Sequence, residues 1–143
     1  MGIEYTDIEY RVNQPISRQQ FVELLQQTSL GPRRPLDNHR VMQGMLDNAN
    51  LLVTAWHQQR LVGVGRAVTD FVYCCYLSDL AVAEDCQGQG IGKQLIRELM
   101  AALEPGCKLL LVAAPKAVDY YPAIGFTQHP TSTWTLDDVR ELR

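Results

Sequence analysis

Leu80-Ala-Val-Ala-Glu-Asp-Cys-Gln87-Gly88-Gln89-Gly90-Ile91-Gly92-Lys93-Gln-Leu-Ile-Arg-Glu-Leu-Met100 joins an apolar strand pattern to an amphipathic helix through three alternate glycines. The strand pattern ends at Val82, and a short acidic turn separates it from the glycines. Glycine lets backbone N–H groups approach a ligand closely. The start of a helix adds unpaired N–H donors and the positive end of its dipole. Together they make a site for an anion, most naturally a phosphate or pyrophosphate. The plainer alternative is a tight strand-to-helix connection, but three glycines in five residues exceed what a turn needs.

Two common phosphate loops fail on these letters. A P-loop requires a glycine five places before Gly92-Lys93 and a Ser or Thr after the lysine; Gln87 and Gln94 stand there instead. A dinucleotide fingerprint starting at Gly88 requires glycine where the chain has Lys93, and normally sits in the first strand–turn–helix of its domain. The pattern that does fit is Gln87-x-x-Gly90-x-Gly92 directly after Asp79-Leu-Ala-Val82.

This arrangement resembles the acetyl-CoA-binding motif of the GNAT superfamily of N-acetyltransferases. Downstream, Tyr120-Tyr121-Pro-Ala-Ile-Gly125-Phe126 is similar to that family's aromatic-Tyr-x-x-x-Gly-Phe signature. Upstream, Leu61-Val-Gly63-Val-Gly65-Arg66 resembles its central hairpin strand. The segments lie in the family's order and cover roughly residues 50–127. The resemblance implies an α/β (α+β) fold. Its central sheet would be mixed and mostly antiparallel, with flanking helices and a splayed, cofactor-binding strand pair. It also implies acetyl-CoA as co-substrate, held by Gln87, Gly88, Gln89, Gly90, Ile91, Gly92 and Lys93 and by the backbone of Leu80, Ala81 and Val82. One departure is Ala113-Ala114-Pro115-Lys116, where many members carry an asparagine.

The remaining sequence is consistent with one domain spanning residues 1–143. Ile8, Tyr10 and Val12 alternate within a first strand read over 3–12. Ser17-Arg-Gln-Gln20 is a capping box ahead of a helix with Phe21, Leu24, Leu25 and Thr28 on one face. Gly31-Pro-Arg-Arg-Pro35 breaks the chain, and Asp37 is positioned to cap a second helix with Val41, Met42, Met45 and Leu46 inward. Residues 51–56 and 61–69 predict a hairpin, and 72–82 a further strand. The glycine-opened helix places Ile91, Leu95, Ile96, Leu99, Met100 and Leu103 on its apolar side and ends at Pro105-Gly106. An apolar strand over 108–113, a short helix over 116–124 and a final strand region over 125–134 complete the pattern.

Composition narrows the function. A formal net charge of −3 gives no basic surface for nucleic acid or acidic membrane. No apolar run reaches membrane-spanning length, and the first residues lack a signal-peptide pattern, so a cytoplasmic protein is expected. Cys74, Cys75, Cys86 and Cys107 form no C-x-x-C pair and match no zinc spacing, and His39, His57 and His129 lack ligand spacing. Buried free thiols and no metal are expected.

The implied chemistry is acyl transfer from a thioester to an amine by direct attack in a ternary complex. A primary amine with a pKa of about 10.4 is mostly ammonium at neutral pH, so a base, direct or through water, should remove its extra proton. The attacked carbonyl needs a fixed N–H donor, and the departing thiolate leaves more easily if protonated. Tyr121 occupies the family's acid position; its alternative is packing of the last helix. Asp79 interrupts an apolar strand and needs a partner or a purpose. It is a candidate base or substrate-cation ligand, or else a buried partner for Arg66 or a solvated carboxylate. Arg33 and Arg34 could recognise an acceptor carboxylate or phosphate, or be surface charges or contacts to the molecule's own acidic turn. The acceptor is expected to be a small-molecule amine, and a homodimer is compatible with this reading. A protein lysine or N-terminal acetyltransferase and a non-catalytic acyl-CoA sensor are the alternatives.

Overall fold

A computed structural model describes residues 7–143; the part of the expected first strand over 3–6 lies outside them. The chain divides into two compact units, one ending at Val112 and the other running from Ala113 to Arg143. In the first, β1 (Ile8–Val12) leads to α1 (Arg18–Gln26), a 3₁₀ turn at Gly31–Arg33 and α2 (His39–Asp47). Then come β2 (Leu51–His57), β3 (Arg60–Thr69), β4 (Cys74–Val82), a second 3₁₀ turn at Glu84–Cys86, α3 (Ile91–Ala101) and β5 (Lys108–Leu110). The five strands lie side by side in chain order, antiparallel except for the parallel β4–β5 pair. A parallel pair needs a long crossover, and α3 supplies it. This is the expected mixed, mostly antiparallel sheet with flanking helices.

Local chemistry accounts for the helix starts. The Ser17 hydroxyl accepts the Gln20 N–H at 3.0 Å while Gln20 Oε1 accepts the Ser17 N–H at 2.9 Å, the full capping box. Phe21, Leu24 and Leu25 are buried as their spacing requires. Asn38, not Asp37, caps α2, its Oδ1 accepting the Val41 N–H at 3.1 Å. Asp70 gathers the N–H groups of Val72, Tyr73 and Cys74, so β4 begins at Cys74 rather than two residues earlier.

The glycines of β3 have a packing cause. A Cβ on Gly63 would stand 3.1 Å from Leu95 Cδ1 and 3.3 Å from Ile91 Cγ2, and one on Gly65 2.9 Å from Leu99 Cδ1. Ile91, Leu95 and Leu99 recur every fourth residue on one stripe of α3, and that stripe beds into the groove the missing side chains leave. Arg66, next along β3, points to the opposite face, where its Nη1 donates to the Met45 carbonyl of α2 at 3.1 Å. Helices therefore cover both faces of the central strands. Met100 is exposed and Leu103 lies beyond the helix end, both against expectation.

The second unit holds a 3₁₀ turn at Pro115–Ala117, the short helix α4 (Tyr120–Ala123) and a 3₁₀ turn at Val139–Glu141. Among its described residues there is no strand, so the strand expected over 125–134 is not formed. A turn in which His129 O accepts from Ser132 N and Oγ breaks that stretch, and Pro130 lacks the N–H a ladder needs.

Candidate functional site

After Val82 the chain stays on the sheet for one more residue, with Ala83 N–H donating to Val62 O at 2.9 Å. It then turns through Glu84–Cys86 into the glycine segment. Gly88 and Gly90 have φ of +80° and +82°, and no atom would stand within 4 Å of a Cβ on either. Backbone sign, not crowding, demands glycine here. Gly90 is the N-cap of α3 and makes no side-chain cap. Gln94 is the first residue of the helix whose N–H reaches back, to Gly90 O at 3.0 Å. The N–H groups of Ile91, Gly92 and Lys93 thus converge at the positive end of an 11-residue helix. Ile91 is buried beneath β3 and can offer a ligand only its backbone; Lys93 is exposed, and Gln89 lies between the two left-handed glycines.

The turn before the glycines is braced. Arg60 donates from Nη1 and Nη2 to the two Asp85 oxygens, each at 2.8 Å, and Nη2 also reaches Gln27 Oε1 at 2.8 Å. Those bonds from Arg60 hold the Asp85 carboxyl below its usual value. Glu84 N–H donates to Gln27 O at 3.1 Å, fastening the turn to the end of α1. Gln87 Nε2 donates to Val82 O at 3.0 Å, so this glutamine ties the loop back to β4.

β4 and β5 pair only over Cys74–Tyr76 with Lys108–Leu110, while β4 continues to Val82. The ladder with β3 fixes where the freed peptide groups point. Because Ala83 N bonds Val62 O, alternation turns the peptide groups of Ala81 toward β3 and those of Leu80 and Val82 to the other side. Of the three residues expected to serve through their backbone, Leu80 and Val82 face the opening and Ala81 faces the ladder.

Asp79 is 1% exposed and pairs in register with Arg66 of β3. Arg66 Nε donates to Oδ2 at 2.5 Å, and Arg34, from the loop after α1, donates to Oδ1 from Nε at 2.8 Å. Ser78 is the extra residue of a β-bulge between Asp79 and Leu77, since Arg66 opposes Asp79 and Ala67 opposes Leu77. Its carbonyl accepts from Arg34 Nη2 at 3.0 Å and its hydroxyl from Arg66 Nη2 at 2.8 Å. The Arg66 partner was legible as an isolated acid among apolar strand residues. The Arg34 contact, across 45 positions, has no signature in the sequence.

Tyr121 lies in the second unit, on α4. Gly125, at φ +110°, reverses the chain after α4. Phe126 then returns its N–H to Tyr121 O at 3.0 Å and its ring to the Tyr121 ring at 5.3 Å, edge to face. The Tyr120 ring also meets the Tyr121 ring edge to face, at 5.2 Å. The Tyr–Gly–Phe signature is thus a self-contained turn that presents one half-buried phenol. Burial, and secondarily Tyr120, raises that phenol above its ordinary value.

Among the described residues no group of His, Cys, Asp and Glu is arranged to hold a metal, no helix is long and apolar enough to cross a membrane, and all four cysteines are free thiols, Cys74 partly exposed.

The acetyltransferase (GNAT) domain family matches residues 23–139. An uncharacterized N-acetyltransferase of Gracilaria tenuistipitata var. liui is 30% identical over 104 residues, 68% of this chain and 56% of that protein; the chain therefore spans little more than half of that relative's length. A GNAT-family acetyltransferase from Streptococcus pneumoniae TIGR4 has a TM-score of 0.73 at 22% identity, covering 92% of this chain and 100% of its own. An aminoglycoside N-acetyltransferase, solved with a CoA-linked bisubstrate analogue, has a TM-score of 0.71 at 18% identity over 93% of this chain and 99% of its own. With the family matched across most of its length, from α1 past the glycine-opened helix to the Tyr–Gly–Phe turn, this chain belongs to the GNAT acetyltransferase family.

Proposed function

We propose that this protein transfers an acetyl group from acetyl-CoA to a primary amine of a small molecule, by direct attack in a ternary complex. The observation that carries the proposal is the conjunction of two features on one strand. The Ile91–Lys93 N–H groups gather beyond left-handed glycines at the end of β4, and β4 leaves β5 just upstream with Leu80 and Val82 turned outward. The first suits a pyrophosphate; the second suits an extended arm carrying amide groups, which would add to the edge as a strand does. The residues present therefore fit CoA, with Gly88–Lys93 holding its phosphates and Leu80 and Val82 its arm. Bound acetyl-CoA supplies the activated acyl group and a thiolate leaving group.

Tyr121 is the proposed acid for that thiolate. A phenol is protonated at neutral pH at its ordinary value of about 10, and burial raises it further, which widens the gap to a thiol of about 8.5. For Asp79 the double ion pair supports the structural role. Each carboxylate oxygen already accepts from a guanidinium, and taking a proton from an amine would break one of those pairs. A small acceptor is favoured by the Gly31–Pro35 loop, which Arg34 straps onto β4 at Ser78. A long peptide would need that stretch of strand open.

The test is thiol release from acetyl-CoA across a panel of small amines and peptides. Release with small amines and not with peptides is expected. Release with peptides alone would move the protein to the protein-acetylating reading, and CoA binding with no release under any acceptor would make it a sensor.

A further inference from the structure

One carboxylate, Asp79, faces two guanidiniums in a place where charge is costly. The side chain of Asp79 is fully buried, that of Arg66 is 7% exposed and that of Arg34 is 21% exposed. Arg66, in register across the ladder, already neutralises Asp79. A second desolvated cation adds no neutralisation, and taking it from water carries its own penalty. Arg34 therefore has to be accounted for by what it joins. Its Nη2 lies 2.7 Å from Asp79 Oδ1 and 3.0 Å from Ser78 O, while Nη1 donates to its own loop at Arg33 O at 3.1 Å. A single planar fork thus links the loop after α1 to the bulge of β4, and Arg66 grips the same bulge through Ser78 Oγ. A bulge re-aims the strand that follows it, and here the next outward-facing peptide groups are those of Leu80 and Val82.

We infer that Arg34 is a positioning residue for acetyl transfer: by clamping Ser78 and Asp79 it fixes the angle at which the outward-facing stretch of β4 leaves the sheet and holds the Gly31–Pro35 loop over it. The inference rests on the acetyltransferase reading for its kinetic consequence but not for its structural one. Lysine would keep the charge yet could not form the fork.

Arg34→Ala and Arg34→Lys, in the full chain, are compared with wild type and with Arg33→Ala, whose exposed side chain makes none of these bonds. Amide hydrogen exchange needs no substrate. It should accelerate over residues 31–36 and 78–82 in both Arg34 variants, while α3 keeps wild-type protection. Steady-state thiol release should show KM for the amine raised or kcat lowered at least tenfold in Arg34→Ala, with KM for acetyl-CoA little changed. Added guanidinium ion should restore part of the Arg34→Ala rate and none of the other three proteins' rates. A general loss of packing would raise both KM values together and expose α3. Unchanged exchange in the two segments overturns the inference, as does full activity in Arg34→Lys. A wild-type protein that releases no thiol with any amine overturns the acetyltransferase reading alone, because the exchange experiment still decides whether Arg34 holds the strand.

Discussion

An aspartate among apolar strand residues reads the same in sequence whether it abstracts a proton, binds a cation or closes an ion pair. Only the partners separate these roles, and one of Asp79's two partners comes from a loop 45 residues away. Asp79→Asn should lower unfolding free energy by about 3–5 kcal/mol, the usual cost of leaving a buried pair with one uncompensated side, measured as a lower urea midpoint. Near-wild-type stability with a rate loss that recovers as pH approaches the amine's own pKa would return Asp79 to the role of base. The turn that carries Tyr121 was legible because its motif is local: glycine supplies the reversal and phenylalanine the ring contact within five residues. Tyr121→Phe keeps both contacts and removes the proton donor, so kcat should fall roughly 10²–10⁴-fold while CoA affinity holds. Since burial raises the phenol, loss of its proton should limit the wild-type rate only above the ordinary tyrosine value of about 10, which a pH–rate profile will show.

At the scale of elements, the parts that could be read were those with a local cause. The Ser17–Gln20 capping box and the Phe21, Leu24, Leu25 spacing are written within one turn of chain. The glycines of β3 were legible as a resemblance, but their reason is the stripe of α3 lying against them. Gly63→Val would press a branched side chain toward Leu95, Ala55 and Ile91, each within 3.3 Å of its Cβ. It should cost about 1–3 kcal/mol by overpacking, seen as a lower melting temperature, whereas the same substitution at half-buried Gly44 of α2, where a Cβ meets nothing within 4 Å, should not lower it, glycine being the poorer helix former. The end of β5 was not legible. Lys108–Ala113 is apolar enough for a longer strand, but its length is decided by where β4 stops accompanying it, which is a property of the neighbour.

For the whole molecule, a ligand that binds only the folded state adds stability by mass action, about 2.7 kcal/mol at a hundred times its dissociation constant. CoA should therefore raise the melting temperature, and NAD and ATP far less. Gly90→Val should abolish that rise while the apo protein still unfolds cooperatively. A branched residue at φ +82° costs about 1–2 kcal/mol of backbone strain and stands where the helix donors converge. Equal shifts from NAD would remove the pyrophosphate assignment. The divergence of β4 from β5 has another side. A strand whose outward peptide groups have lost their neighbour is a template for any extended chain, including the same segment of another copy. Retaining the opening thus carries a solubility burden, and a ligand that filled it would act as a chaperone for the fold. Concentrated protein should stay clear of aggregates longer with CoA present than without it.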